Sequence, residues 1–166
     1  MNERRRDALK GAMLLEQRGQ EFYKAAARES EVAEVSKMFQ LLANEEAHHQ
    51  RTLAKAYAEL EETGDFSAPA LEKAPADVTN NVLTPAVMSE VSAAGYEAAA
   101  VYAAMGLEER AIAYYQEQEK AATDDKERKL YNWLSDWEGR HLNALLAMEE
   151  DIRQRVWNDQ HFWPLL

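Results

Sequence analysis

Displaced by 92 residues, the chain lies on itself. Met13 falls on Met105, Leu15 on Leu107, Glu16 on Glu108, Phe22 on Tyr114 and Tyr23 on Tyr115. Further along, Phe39 falls on Tyr131, Leu42 on Leu134, Glu46 on Glu138, His49 on His141 and Leu53 on Leu145. Any fold of the first half must therefore be one that the second half can adopt and pack against. Each half holds two long segments with apolar residues at helical spacing. Leu9, Met13, Glu16, Tyr23 and Ala27 form the stripe of the first segment, and Val35, Phe39, Leu42, Glu46, His49 and Leu53 that of the second.

The spacing predicts helices over about 3–29, 31–62, 96–122 and 124–156. Thr63-Gly64 stops the second, and Asp124 with Glu127 has capping-box spacing at the start of the fourth. Short junctions make the first and second helices antiparallel, and likewise the third and fourth. The middle connection, 63–95, is long and carries Pro69, Pro75 and Pro85; Thr84-Pro85 could open a short helix near 85–93. Helices of this length span about 40 Å at 1.5 Å per residue, and about twenty extended residues cover that distance. The linker could instead separate two helical hairpins, but a lone hairpin buries little surface. The expected fold is all-α: one four-helix bundle over 1–156, made of two antiparallel pairs joined by a long crossover. Residues 157–166, ending in HFWPLL, form an apolar tail expected to dock on the bundle or on a sister subunit, with a recognition peptide as the other reading.

Composition narrows the function classes. A formal net charge of −11 repels nucleic acid and anionic membrane surfaces. No apolar run can cross a bilayer. The basic run Arg4, Arg5 and Arg6 is followed by no apolar stretch, so it reads as neither a signal peptide nor an export signal. With no Cys, disulfides, thiolate metal sites, iron–sulfur clusters and Cys nucleophiles are excluded. A cytoplasmic protein is the expectation.

The stretch LLANEEAHHQRTL, 41–53, offers two overlapping Glu-x-x-His pairs, and the repeat distinguishes them. Glu46 and His49 have counterparts in Glu138 and His141, on the apolar stripe of their helix. Glu45 and His48 fall on Trp137 and Arg140, so they read as flanking or exposed. Glu16 and Glu108 also interrupt apolar stripes, each 30 residues before its Glu-x-x-His. Residues three apart on a helix are neighbours, so each pair offers an oxygen and a nitrogen together. Four carboxylates buried on a bundle axis would repel and protonate unless cations intervened. Two divalent cations match four carboxylates, and carboxylates can bridge metals about 3.5–4 Å apart. Oxygen and imidazole donors suit Fe, Mn or Zn.

The segments LLEQRGQEFYKAAA, MFQLLANEEAHH, GLEERAIAYYQEQ and LYNWLSDWEGRH resemble the ferritin-like diiron-carboxylate family, and within it rubrerythrin most closely, over about residues 5–150. In ferritin-like carboxylate proteins a Glu from each of two helices joins a Glu-x-x-His from each of the other two. The resemblance implies Glu16, Glu46, His49, Glu108, Glu138 and His141 as metal ligands and two Fe ions per chain, with Mn or Zn in purified protein. It implies Tyr23 and Tyr115 beside the ligands. It also implies Asp136, and Asn44 in the first half, as groups that orient a ligand His from a neighbouring helix. Two departures stand out. The chain lacks the Cys-rich rubredoxin module that feeds electrons to rubrerythrins, and Ala111 occupies the position of their extra Glu. The symmetric six-residue set that remains resembles the ferroxidase site of bacterioferritin.

The expected function is an oxidoreductase whose di-Fe(II) site is oxidised by hydrogen peroxide or dioxygen, supplied with electrons by a separate donor protein. Trp137, beside Glu138, is a candidate for carrying them, though packing explains it as well. Iron handling, meaning ferroxidase activity coupled to storage or delivery, is one alternative; a non-catalytic, metal-stapled helical module is another. A homodimer or other small homo-oligomer is expected.

Overall fold

The computed structural model describes residues 2–65 and 95–159. The crossover over 66–94, with the short helix expected near 85–93, and the tail from 160 onward lie outside the described residues. Four helices account for nearly everything described: α1 (Asn2–Glu29), α2 (Ala33–Thr63), α3 (Tyr96–Ala121) and α4 (Asp125–Asp159). Among the described residues there is no strand, and no helix is long and apolar enough to cross a membrane.

Two limits differ from the sequence expectation. The second helix starts at Ala33 rather than near residue 31, because the chain leaves helical geometry to present its backbone to Glu97. That carboxylate accepts from Glu31 N at 2.8 Å, Val32 N at 3.4 Å and Ser30 Oγ at 3.1 Å. One buried Glu of α3 thus satisfies the turn between α1 and α2. The fourth helix runs on to Asp159, three residues into the stretch read as tail, since neither Gly nor Pro stands between Ile152 and Pro164. The remaining limits fall within one residue of those expected.

Helix ends follow local chemistry. Gly64 closes α2 with a positive φ of 76°, donating its N–H to Leu60 O at 3.0 Å, a conformation that favours glycine. Asp124 Oδ1 accepts from Lys126 N at 2.9 Å and Glu127 N at 3.0 Å. Glu127 reaches back to Thr123 N at 3.2 Å, one residue beyond the capping-box partner. Its buried carboxylate also takes Arg4 Nη2 at 2.6 Å, while Arg5 Nη2 meets Asp65 at 3.0 Å and Asp124 at 3.2 Å. Arg6 pairs with Glu61. The basic run therefore fastens the start of α1 to the end of α2 and the start of α4, which makes α1 and α2 antiparallel.

The helices pack α1 on α2 and α3 on α4, with α1 beside α3. Two apolar clusters fill the interior. One gathers Tyr23, Phe39, Leu42, Val101, Leu145 and Met148; the other gathers Leu9, Leu53, Leu60, Tyr115, Leu130, Tyr131 and Leu134. The repeat is visible in them. Tyr23 stacks on Phe39 at 6.0 Å and Tyr115 on Tyr131 at 6.3 Å, while Phe22 meets Tyr23 edge-on at 5.6 Å and Tyr114 meets Tyr115 at 5.8 Å. Each pair contributes aromatic contact beyond its buried area. The polar residues of the sequence motif separate the two clusters.

Candidate metal centre

Six ionisable side chains are buried together in the middle of the bundle: Glu16 on α1, Glu46 and His49 on α2, Glu108 on α3, and Glu138 and His141 on α4. None is more than 3 % exposed. Helical spacing stacks each Glu above the His three residues later, and the apolar stripe around them turns both inward. The six fall into two overlapping groups, Glu16, Glu46, His49 and Glu138, and Glu46, Glu108, Glu138 and His141. Within each group one donor atom per residue lies within 4.8 Å of the others. Glu46 and Glu138 belong to both groups; each remaining Glu and His belongs to one.

Both imidazoles turn Nδ1 towards the acids. His49 Nδ1 lies 2.9 Å from Glu16, 3.0 Å from Glu138 and 3.8 Å from Glu46. His141 Nδ1 lies 3.0 Å from Glu138, 3.3 Å from Glu46 and 3.4 Å from Glu108. Yet both Glu138 carboxylate oxygens and His141 Nδ1 are buried without a properly aligned hydrogen bond. They lie close together, each Glu138 oxygen 3.0 Å from one histidine Nδ1, in contact without a formed hydrogen bond. Buried polar groups left in that condition are costly, and a donor set of four carboxylates and two imidazole nitrogens around one space fits a pair of cations.

The electrostatics of the cluster follow from burial and repulsion. Burial, then the charges of Glu138 and Glu16, push the Glu46 carboxyl well above the usual range. Burial and Glu138 push Glu108 up to about 7. Glu138 goes the other way: burial would raise it, but His49 and His141 hold it below the usual carboxylate range. Burial would lower both imidazoles, yet the acids around them raise His49 and His141 well above the ordinary value. Protons thus occupy the roles that cations would take.

Two tyrosines bind the acids crosswise. Tyr23 on α1 donates to Glu108 on α3, and Tyr115 on α3 donates to Glu16 on α1. Burial, and then the neighbouring carboxylates, raise both phenols well above their ordinary range, so both stay protonated as donors. Each half of the repeat in this way fixes an acid of the other half.

Asn44 and Asp136 correct the expectation placed on them. Both are exposed, and each accepts from a residue one turn earlier on its own helix: Asn44 from Gln40 at 3.2 Å, Asp136 from Asn132 at 3.3 Å. Neither orients a histidine, because a position two residues before Glu46 or Glu138 lies about 200° around the helix from it. The residue in that role is Glu45, which reads from the sequence as flanking. Its Oε2 accepts from His141 Nε2 at 2.7 Å and from Trp137 Nε1 at 2.9 Å. Burial opposes its ionisation, but these bonds hold it below the usual range. A signal did exist: Glu45 and Trp137 are repeat partners, and partners across a repeat can meet. His48 lies against Trp133 and Trp137, ring centroids 6.0 and 5.9 Å away, outside both donor groups.

A cavity of about 90 Å³ reaches the cluster between α1 and α3, lined by Glu16, Gly19, Glu46, Glu108, Ala111 and Glu138 among others. It has room for several water-sized molecules. Gly19 lets α1 approach closely: a Cβ there would sit 3.2 Å from Glu46 Cδ, a tight contact with that carboxylate.

Comparison with known proteins agrees with this architecture. A hypothetical protein from Pyrococcus furiosus superposes with a TM-score of 0.64 over 90 % of each chain at 20 % identity, so the two share this four-helix fold. No curated protein matches the chain. The rubrerythrin family profile matches residues 7–149, nearly the whole bundle, and the chain belongs to that family. Together the family and the carboxylate–histidine cluster make it a candidate diiron-binding protein.

Proposed function

We propose that the cluster holds two iron ions that share Glu46 and Glu138. Glu16 and His49 would offer further donors to one ion, and Glu108 and His141 to the other. The observation that carries this reading is the pair of overlapping donor groups with two acids in common, fully buried. Mn or Zn fits the same donors in purified protein. The reaction proposed is oxidation of the reduced site by hydrogen peroxide or dioxygen. When bound, two Fe(II) would supply the two electrons that, with two protons, reduce one hydrogen peroxide to two waters.

The chain's own residues prepare that chemistry. Four carboxylates balance the charge of two dications. Tyr23 and Tyr115 fix Glu108 and Glu16 and keep those acids from swinging. The two aromatic clusters exclude bulk water on either side, and the cavity between α1 and α3 admits a small oxidant. Electrons would return from a donor outside the bundle, whose residues include no Cys for a rubredoxin-type or iron–sulfur centre. A small homo-oligomer and a cytoplasmic setting complete the proposal.

Stopped-flow mixing of the Fe(II)-loaded protein with hydrogen peroxide or dioxygen tests it. A rise in near-ultraviolet absorbance with at least one oxidant is expected; silence with both would remove the oxidoreductase reading. Ferroxidase activity coupled to iron handling is the second reading, favoured by Ala111, which adds no further acid to the symmetric set. It predicts a single oxidation per loading with no sustained turnover.

A further inference from the structure

The repeat makes the two halves of the centre alike in every donor, and unlike in the residue preceding each shared acid. That residue is Glu45 before Glu46 and Trp137 before Glu138. The two meet across the bundle, Trp137 Nε1 donating to Glu45 at 2.9 Å. Their difference reaches the histidines unequally. His141 Nε2, the nitrogen turned away from the acids, lies 2.7 Å from Glu45. His49 Nε2 is buried and has no hydrogen-bond partner among the described residues. Around His49 stand two indoles, Trp137 edge-on at 5.0 Å and Trp133 edge-on at 5.4 Å. An N–H against an aromatic ring is a weak contact compared with one to a carboxylate.

From this asymmetry we infer that the two metal positions are inequivalent, the Glu108/His141 position binding the first ion, with Glu45 as the positioning residue that makes it so. The inference rests on the dinuclear reading given above. A histidine bound to metal through Nδ1 carries its remaining proton on Nε2. Donating that proton to Glu45 fixes the ring's rotation and makes Nδ1 a stronger donor. His49 gains neither effect, since the repeat supplies an indole where His141 has a carboxylate. Removal of such an outer partner typically weakens metal binding by about 10–100-fold.

The test is anomalous diffraction from crystals of the protein given one equivalent of Co(II) per chain, with the occupancy refined at each position. An occupancy ratio of about 10 or more in favour of the His141 position is expected in the wild type. Glu45→Gln keeps the shape but replaces the carboxylate, and is expected to bring the two occupancies to within a factor of about 3. Trp137→Phe leaves Glu45 on His141 and is expected to keep the preference. Equal occupancy in the wild type, a preference for the His49 position, or a ratio that E45Q leaves unmoved would each overturn the inference. Co(II) at neither position, even in excess, would instead defeat the dinuclear reading itself, and this inference with it.

Discussion

Glu108 and Glu46 show how a buried acid behaves when its counter-ion is a proton. Both carboxyls are raised, Glu108 to about 7, so the folded metal-free protein holds protons that the unfolded chain has released. Stability from such groups is fully present below the unfolded value, near 4.5, and is lost as the pH climbs through the folded one. Each fully linked proton contributes a slope of about 1.4 kcal/mol per pH unit. The raised His49 and His141 act with the same sign at higher pH. Glu138 acts oppositely, but its held-down carboxyl matters only below the ordinary carboxylate range. The midpoint of thermal unfolding of the metal-free protein should therefore fall between pH 5 and pH 8. With Fe(II) or Mn(II) bound the fall should shrink, because cations replace the protons. Calorimetry with and without a chelator measures both; a metal-free midpoint that rises over this window would contradict the electrostatic picture. Among single residues, the shared burial of the four acids and two histidines was legible from the repeat and the stripes. Glu45 was legible only through its repeat partner Trp137: its partners lie on α4, and the turn of α2 against α4 decides which of two adjacent acids meets them.

The helices were legible because Gly, Pro and capping residues mark their ends and apolar residues repeat along one face. Less legible was the start of α2, which depends on Glu97 of a helix distant in sequence. Helix α1 illustrates how close approach is written in small residues. At Gly11 a Cβ would sit 2.9 Å from Tyr114 Cζ and nearer still to its hydroxyl, and at Gly19 it would press on the Glu46 carboxylate. Gly139 on α4 has nothing within 4 Å of that position. Gly139→Ala should therefore stabilise the protein by up to about 1 kcal/mol through helix propensity. Gly19→Ala gains the same propensity but presses a few tenths of an ångström on the Glu46 carboxylate, which should lower metal affinity while leaving the helix content intact. Isothermal titration with Mn(II) and circular dichroism on the two variants check this pair. Equal metal affinities for both would show that α1 does not need its close approach to Glu46.

Two half-bundles related by the 92-residue repeat meet so that each supplies one Glu, one Glu-x-x-His and one tyrosine to a single buried layer. Duplication explains why four acids can sit together: neither half could neutralise them, but the pair offers donors for two dications at once. The fold was readable because its two apolar clusters and the polar layer between them recur in both halves. What the repeat concealed was its own exception, Glu45 against Trp137, since a symmetric reading treats unmatched residues as outside the site. In the proposed centre both ions depend on the same two acids, Glu46 and Glu138, which gives the most direct measurement. Protein reconstituted anaerobically with Fe(II), freed of loose ions and assayed by elemental mass spectrometry should carry two iron atoms per chain. Glu16→Ala, which strips one terminal donor, should keep about one, whereas Glu138→Ala should lose both. A wild type holding one iron or none, or a Glu138→Ala variant still holding two, would contradict a centre in which both ions share that acid.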